Sequence, residues 1–115
     1  MAFLALALAA CGSASSQTSS TVSLGSAVQQ GCTSVADVLA DGPDPGADPV
    51  GYAEAQVLPL RRLTISDATL RRAVLTLASA YETLSTSSTS TRAASAAAVT
   101  KAENEVNTIC PQAAQ

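Results

Sequence analysis

Between residues 67 and 84 the apolar side chains of Leu70, Val74, Leu77, Tyr81 and Leu84 recur at steps of four, three, four and three. Steps of three and four keep side chains on one face of a helix, whereas a half-buried strand needs alternation at every second residue. The spacing predicts a helix over 67–84, opened by Ser66-Asp67, whose side chains suit the capping of free backbone N–H groups. No stretch of the chain alternates at the strand period, so the fold class read from the sequence is all-α.

Three further segments follow the same rule. Leu24, Val28, Cys32, Val35 and Leu39 share one face of a helix within 24–40, stopped by Gly42-Pro43 with Asp41 at the boundary. Gly31 weakens the first half of that segment and favours an ordered start nearer Cys32. Asp48-Pro49 is a helix start, because the carboxylate accepts from a free N–H and proline misses none in the first turn. The helix it opens carries Val50, Ala53, Val57 and Leu60 on one face, and Pro59 is expected to kink it or end it near Leu58. Ala96, Val99, Ala102, Val106 and Ile109 line a last helix over 93–109, closed by Cys110-Pro111. A Ser/Thr run from Ser85 to Thr91 separates it from the preceding one. Amphipathic segments joined by modest connections predict a small antiparallel three- or four-helix bundle over 24–110, with 111–115 as a tail.

Composition removes several function classes. The chain of 115 residues has a net charge of −3 and contains no histidine. Nucleophilic catalysis of the Ser-His-Asp or Cys-His kind therefore lacks its base. Nucleic acid is disfavoured as a partner, since it calls for a basic patch, and only Tyr52 and Tyr81 could serve as stacking platforms beyond the first ten residues. LADGPDPGAD carries neither G-x-G-x-x-G nor a G-K-[ST] ending, so no phosphate loop is present there. No cofactor and no enzymatic activity are expected.

The stretch ADGPDPGADPVGY, residues 40–52, is the one concentration of acid, proline and glycine. Asp37, Asp41, Asp44, Asp48 and Glu54 crowd into eighteen residues, and clustered oxygens suit calcium, which takes roughly six to eight oxygen ligands. The spacing does not fit the EF-hand loop, so Asp41, Asp44, Asp48 and Glu54 are weak metal candidates. A glycosidase would need a sugar-sized cleft, for which so small a domain is a poor host. Taken one residue at a time the stretch reads as helix stop, rigid corner and helix start, with Asp44 left unassigned. Arg61, Arg62, Arg71 and Arg72, four of the six cations, could contact anionic headgroups or wall polymers, or pair with the acidic corner.

At the amino terminus MAFLALALAA runs into Cys11-Gly12. Leu8-Ala9-Ala10-Cys11 resembles the lipobox of bacterial lipoproteins, in which a peptidase cuts before a cysteine that carries lipid. The resemblance covers the first dozen residues and implies that Cys11 is the site of lipid attachment. It also implies that the chain lies on the extracytoplasmic face of the bacterial membrane. No Lys or Arg precedes Cys11, so residues 1–10 are read as a signal-peptide remnant whose true start lies upstream. Spanning a bilayer takes ~20 apolar residues, and this run is half that; the anchor is lipid rather than a helix. Residues 11–23 read as the lipidated cysteine and a Ser/Thr-rich tether. With Cys11 lipidated, Cys32 and Cys110 remain as an even pair in an oxidising compartment, and a disulfide between them is expected. The order of tether, cysteine, D-G-P-D-P corner and terminal I-C-P also looks like small helical surface lipoproteins of bacteria. The function expected is a non-enzymatic interaction or envelope-associated module with a protein or cell-envelope partner. The alternative is a calcium or small-ligand binding protein using loop 41–54.

Overall fold

A computed structural model describes residues 25–111, 113 and 114. Those residues form four α-helices: α1 (Ser26–Ala40), α2 (Pro49–Arg62), α3 (Ala68–Ser85) and α4 (Arg92–Ile109). Expectations placed on residues 1–24, Cys11, the tether and Leu24 among them, lie outside the described residues.

The helix α3 occupies the centre. Its stripe of Leu70, Val74, Leu77, Tyr81 and Leu84 is buried throughout, and α3 packs against both α2 and α4, with α1 lying across α2 and α3. Neighbouring helices run antiparallel. Leu39 near the end of α1 meets Tyr52 near the start of α2, and Tyr81 late in α3 meets Glu103 of α4. Val35 and Leu39 of α1, Ala53, Val57 and Leu60 of α2, and Val99, Ala102 and Val106 of α4 complete the core. Each large apolar side chain fully withdrawn from water contributes about 1.5–3 kcal/mol, so this burial outweighs the few tenths of a kcal/mol by which ordinary helix propensities differ.

The local expectations for α2, α4 and α1 differ from the structure. Of the two outcomes expected at Pro59, an end near Leu58 does not occur; the helix continues to Arg62 with the proline inside it. A proline in a helix interior costs about 3 kcal/mol, but stopping at Leu58 would release Leu60, which is 1% exposed. The pyrrolidine ring sits on the exposed face, and Arg61 and Arg62 in the last turn complement the helix dipole. The buried face of α2 also differs from the one expected: Tyr52 and Gln56 are buried, and Val50 is only half-buried. On α4 the face is rotated slightly, with Ser95 buried and Ala96 exposed.

The start of α1 is also corrected: the helix begins at Ser26 rather than near Cys32. Gly31 is the reason it can. A Cβ at Gly31 would lie 2.7 Å from Leu70 Cδ2 and 3.4 Å from Ile65 Cγ2, so the glycine lets α1 lie directly against the first turn of α3. Residues 26–30 precede that contact and stay largely exposed. Next to it Cys32 forms a disulfide with Cys110 at the end of α4, with a Cα–Cα distance of 5.4 Å across 78 residues of sequence. Beyond Pro111 the chain turns back: Asn107 Nδ2 donates to the Ala114 carbonyl at 2.5 Å and Asn107 Oδ1 accepts from the Ala114 N–H at 2.8 Å. Ala114 is thereby buried.

A bridge closing a loop of this length removes chain entropy from the unfolded state equivalent to roughly 4–5 kcal/mol. The Cys32→Ser/Cys110→Ser variant is expected to lose stability of that order in urea denaturation. A loss under about 1 kcal/mol would show that the bridge follows the fold without supporting it. Gly31→Val should cost about 1–3 kcal/mol by overpacking against Leu70, measured the same way.

Candidate functional site

The corner between α1 and α2 is built from local hydrogen bonds. The Asp41 N–H donates to the Val38 carbonyl and closes α1, and Gly42 follows at φ +103°, a conformation that side chains rarely adopt. Asp44 has the role the sequence left open: its Oδ1 accepts from the Gly46 N–H at 2.8 Å, and its carbonyl accepts from Ala47 and Asp48. Asp48 Oδ1 caps α2 by accepting from Gly51 N–H at 2.9 Å. A Cβ on residue 51 would strike that carboxylate at 2.2 Å, so the D-P-V-G spelling is a matched cap and gap. Asp67 Oδ2 caps α3 in the same way, at 2.8 Å from Leu70 N.

The Asp44, Asp48 and Asp67 carboxylates are thus spent on turns and caps. Asp41, Asp44, Asp48 and Glu54 are all exposed, and among the described residues no three Asp, Glu, Cys or His side chains come together to hold a metal ion. The arginines are not gathered on the corner either. Arg61 pairs with Glu82 on α3, Arg71 Nη1 donates to the Ile65 carbonyl at 3.1 Å, and Arg62 and Arg72 are exposed. Arg61–Glu82 is the only ion pair among the described residues, so the expected pairing of arginines with the acidic corner is not formed there.

On its inner side the corner meets Gln56. This side chain is 1% exposed; its Nε2 donates to the Asp41 carbonyl at 2.6 Å, while its Oε1 has no hydrogen-bond partner. A recess of about 90 Å³ lies here, lined by Val38, Asp41, Gly42, Ala55, Gln56 and Pro59. Pro59 has no N–H to give the Ala55 carbonyl one turn back. The residue that satisfies the end of α1 is therefore a buried glutamine, and nothing in the apolar periodicity marks it.

A second recess, of about 170 Å³, opens on the other side of the corner between the start of α2, the end of α3 and the start of α4. Pro45 and Pro49 form one wall, Tyr52, Tyr81 and Leu84 the floor, and Ala96, Val99, Thr100 and Glu103 the facing side. The Tyr52 and Tyr81 rings meet edge to face, with centroids 5.7 Å apart and planes at 84°. Their hydroxyls are bonded within the fold: Tyr52 donates to the Leu39 carbonyl at 2.6 Å and Tyr81 donates to Glu103 Oε1 at 3.0 Å. Burial, and then the charge of Glu103, push the Tyr81 phenol far above its ordinary value. Burial raises Tyr52 as well, against a lowering from the Tyr81 hydroxyl. Both phenols therefore stay neutral, and neither is a nucleophile or a base at physiological pH. Glu103, which lines the recess and accepts from Tyr81, is the residue of this site that sequence reasoning missed. It falls on the rim of the face set by Val99, Ala102 and Val106, and a carboxylate one residue after a core position gives no signal of its own.

Comparison with family models, with curated proteins and with solved structures finds no match for this chain.

The tyrosines carry a pH consequence. Unfolded tyrosine ionises at about 10, and the folded chain keeps both phenolic protons above that, so it binds more protons than the unfolded chain there. The stabilisation is fully present below pH about 10 and falls as pH climbs past it. Urea midpoints should decline over that range in step with tyrosinate absorbance, and a Tyr52→Phe/Tyr81→Phe variant should show a flatter decline. An equally steep decline in the variant would refute the assignment.

Proposed function

We propose that this chain is a lipid-anchored, extracytoplasmic helical domain of the bacterial envelope that acts as a non-enzymatic interaction module. The observation that carries the proposal is the Cys32–Cys110 disulfide. Disulfides persist in oxidising compartments and are rare where thiols are kept reduced, and an exported domain is where such a bridge is useful. The likeness of Leu8-Ala9-Ala10-Cys11 to a lipobox supplies the means of attachment. Among the described residues no helix is long and apolar enough to cross a membrane.

A binding role rather than catalysis is supported by the chemistry at hand. The chain has no histidine, the Asp44 and Asp48 carboxylates of its corner are engaged in a turn and a cap, and its phenols are held neutral. Arg62 and Arg72, exposed and without an ion-pair partner among the described residues, are the cations best placed to contact an anionic protein or cell-envelope partner.

Metabolic labelling with palmitate in a bacterial host that processes lipoproteins tests the anchor. The full chain is expected to take up label and fractionate with membranes, and Cys11→Ser to lose both. Label persisting in Cys11→Ser would sink the attachment site. Arg62→Glu/Arg72→Glu should reduce co-sedimentation with cell-envelope fragments without altering the helical circular dichroism signal; undiminished sedimentation would remove the arginines from the interface.

A further inference from the structure

We propose that the recess between Pro45, Pro49, Tyr52, Tyr81 and Glu103 is a binding site for an alkylammonium group, a primary amine cation on a short aliphatic stem. The proposal does not depend on lipid attachment and concerns none of the residues invoked for it.

Hydrogen-bond bookkeeping sets the sign of the guest. The Tyr52 proton is committed to the Leu39 carbonyl and the Tyr81 proton to Glu103 Oε1. Apart from the rotatable hydroxyl of Thr100, what remains to face a guest is acceptor capacity: the phenolic oxygens and the free lone pairs of the Glu103 carboxylate, of which a carboxylate has about four. Glu103 is half-exposed, so a guest can reach it, and no cation pairs with it among the described residues. A guest must therefore bring donors, and a positive charge gains most; a carboxylate or phosphate would meet only lone pairs and a like charge.

Size and surface narrow the guest further. A recess of about 170 Å³ falls below the roughly 300–1,000 Å³ of sites for drug-sized ligands, so a sugar ring with substituents or a nucleotide does not fit. A group the size of a lysine side chain does. The remaining lining is proline and tyrosine rings with Leu84, Ala96 and Val99, which suits an aliphatic stem, and aromatic rings attract ammonium groups held within about 6 Å. The position is also rigid. Pro45 and Pro49 have fixed φ; Pro49 is the first residue of α2, and the side-chain hydrogen bonds of Asp44 and Asp48 fix the backbone on either side of the two prolines. The acidic corner thus has a use its carboxylates did not reveal: its prolines wall the site.

The chain contains two tyrosines and no tryptophan, and both tyrosines line this recess, so intrinsic tyrosine emission reports on it directly. Butylammonium and N-acetyl-lysine methylamide are titrated at neutral pH against the disulfide-bonded chain, with butanol and butyrate as uncharged and anionic counterparts. At least one amine is expected to change the emission saturably, and Glu103→Gln, which keeps an acceptor for Tyr81, to weaken it about tenfold. Glu105→Gln, an exposed acid on the same helix, should leave it unchanged. Saturation by butylammonium alone assigns the site to free amines; saturation by both assigns it to an alkylammonium that a lysine side chain can supply. Failure of both amines to saturate, equal response to butanol, or an unchanged titration in Glu103→Gln overturns the proposal. Should Glu103→Gln not fold, nuclear Overhauser contacts between butylammonium and the two tyrosine rings in the unaltered chain decide it. Contacts to both rings support the site, and their absence refutes it.

Discussion

The buried stripe of α3 is the surface to which every other element is fastened. Leu70, Val74, Leu77, Tyr81 and Leu84 run its full length and are all nearly inaccessible. One helix with so continuous an apolar face must be covered along its whole length, and α2, α4 and α1 divide the work. α2 and α4 take most of it, and α1 closes the gap left at the first turn of α3, where Gly31 admits Leu70. This explains why α2 tolerates Pro59: the cost of a missing hydrogen bond is set against uncovering Leu60 and the part of the stripe behind it.

α1 is the least deeply packed helix, and it is held by different physics. At its middle it is tied covalently to the end of α4 through Cys32–Cys110. At its end it is held by two hydrogen bonds from α2, Tyr52 to the Leu39 carbonyl and Gln56 to the Asp41 carbonyl. Both acceptors belong to the last carbonyls of a helix, which have no partner within it. Two buried polar side chains of α2 thus serve as the C-terminal cap of α1. Tyr52 also forms the floor of the amine recess, so the group that fastens α1 and the group that shapes the site are one side chain.

Much of the fold was legible along the chain because it rests on short-range chemistry. The spacing of Leu70 to Leu84 placed α3 within a residue of its bounds, and Asp48 and Asp67 marked the starts of α2 and α3 because capping needs only a carboxylate a few residues from a free N–H. Gly42-Pro43 marked the end of α1 for a similarly local reason. α2 runs past Pro59 because the local penalty is real but the burial that outweighs it is not local. Gly31 misled because a glycine that weakens an isolated helix is the residue that permits two helices to touch. Asp44 looked idle because its partner, the Gly46 N–H, is a backbone group that no side-chain pattern records.

The candidate site was legible only in part. Proline, tyrosine and acid were visible as residue types in and after ADGPDPGADPVGY, and the sequence by itself determined the all-α class and three of the four helix starts to within a residue. Only the tertiary structure decided that Tyr52 and Tyr81 meet at 5.7 Å, that Glu103 from α4 faces them, and that Pro45 and Pro49 complete the wall. The physical reason is range. Periodicity, capping and turn chemistry act over about one helical turn, and each can be read from neighbouring residues. A recess lined by the corner and three helices is set by which faces pack together, and that depends on the summed burial of side chains far apart in the chain.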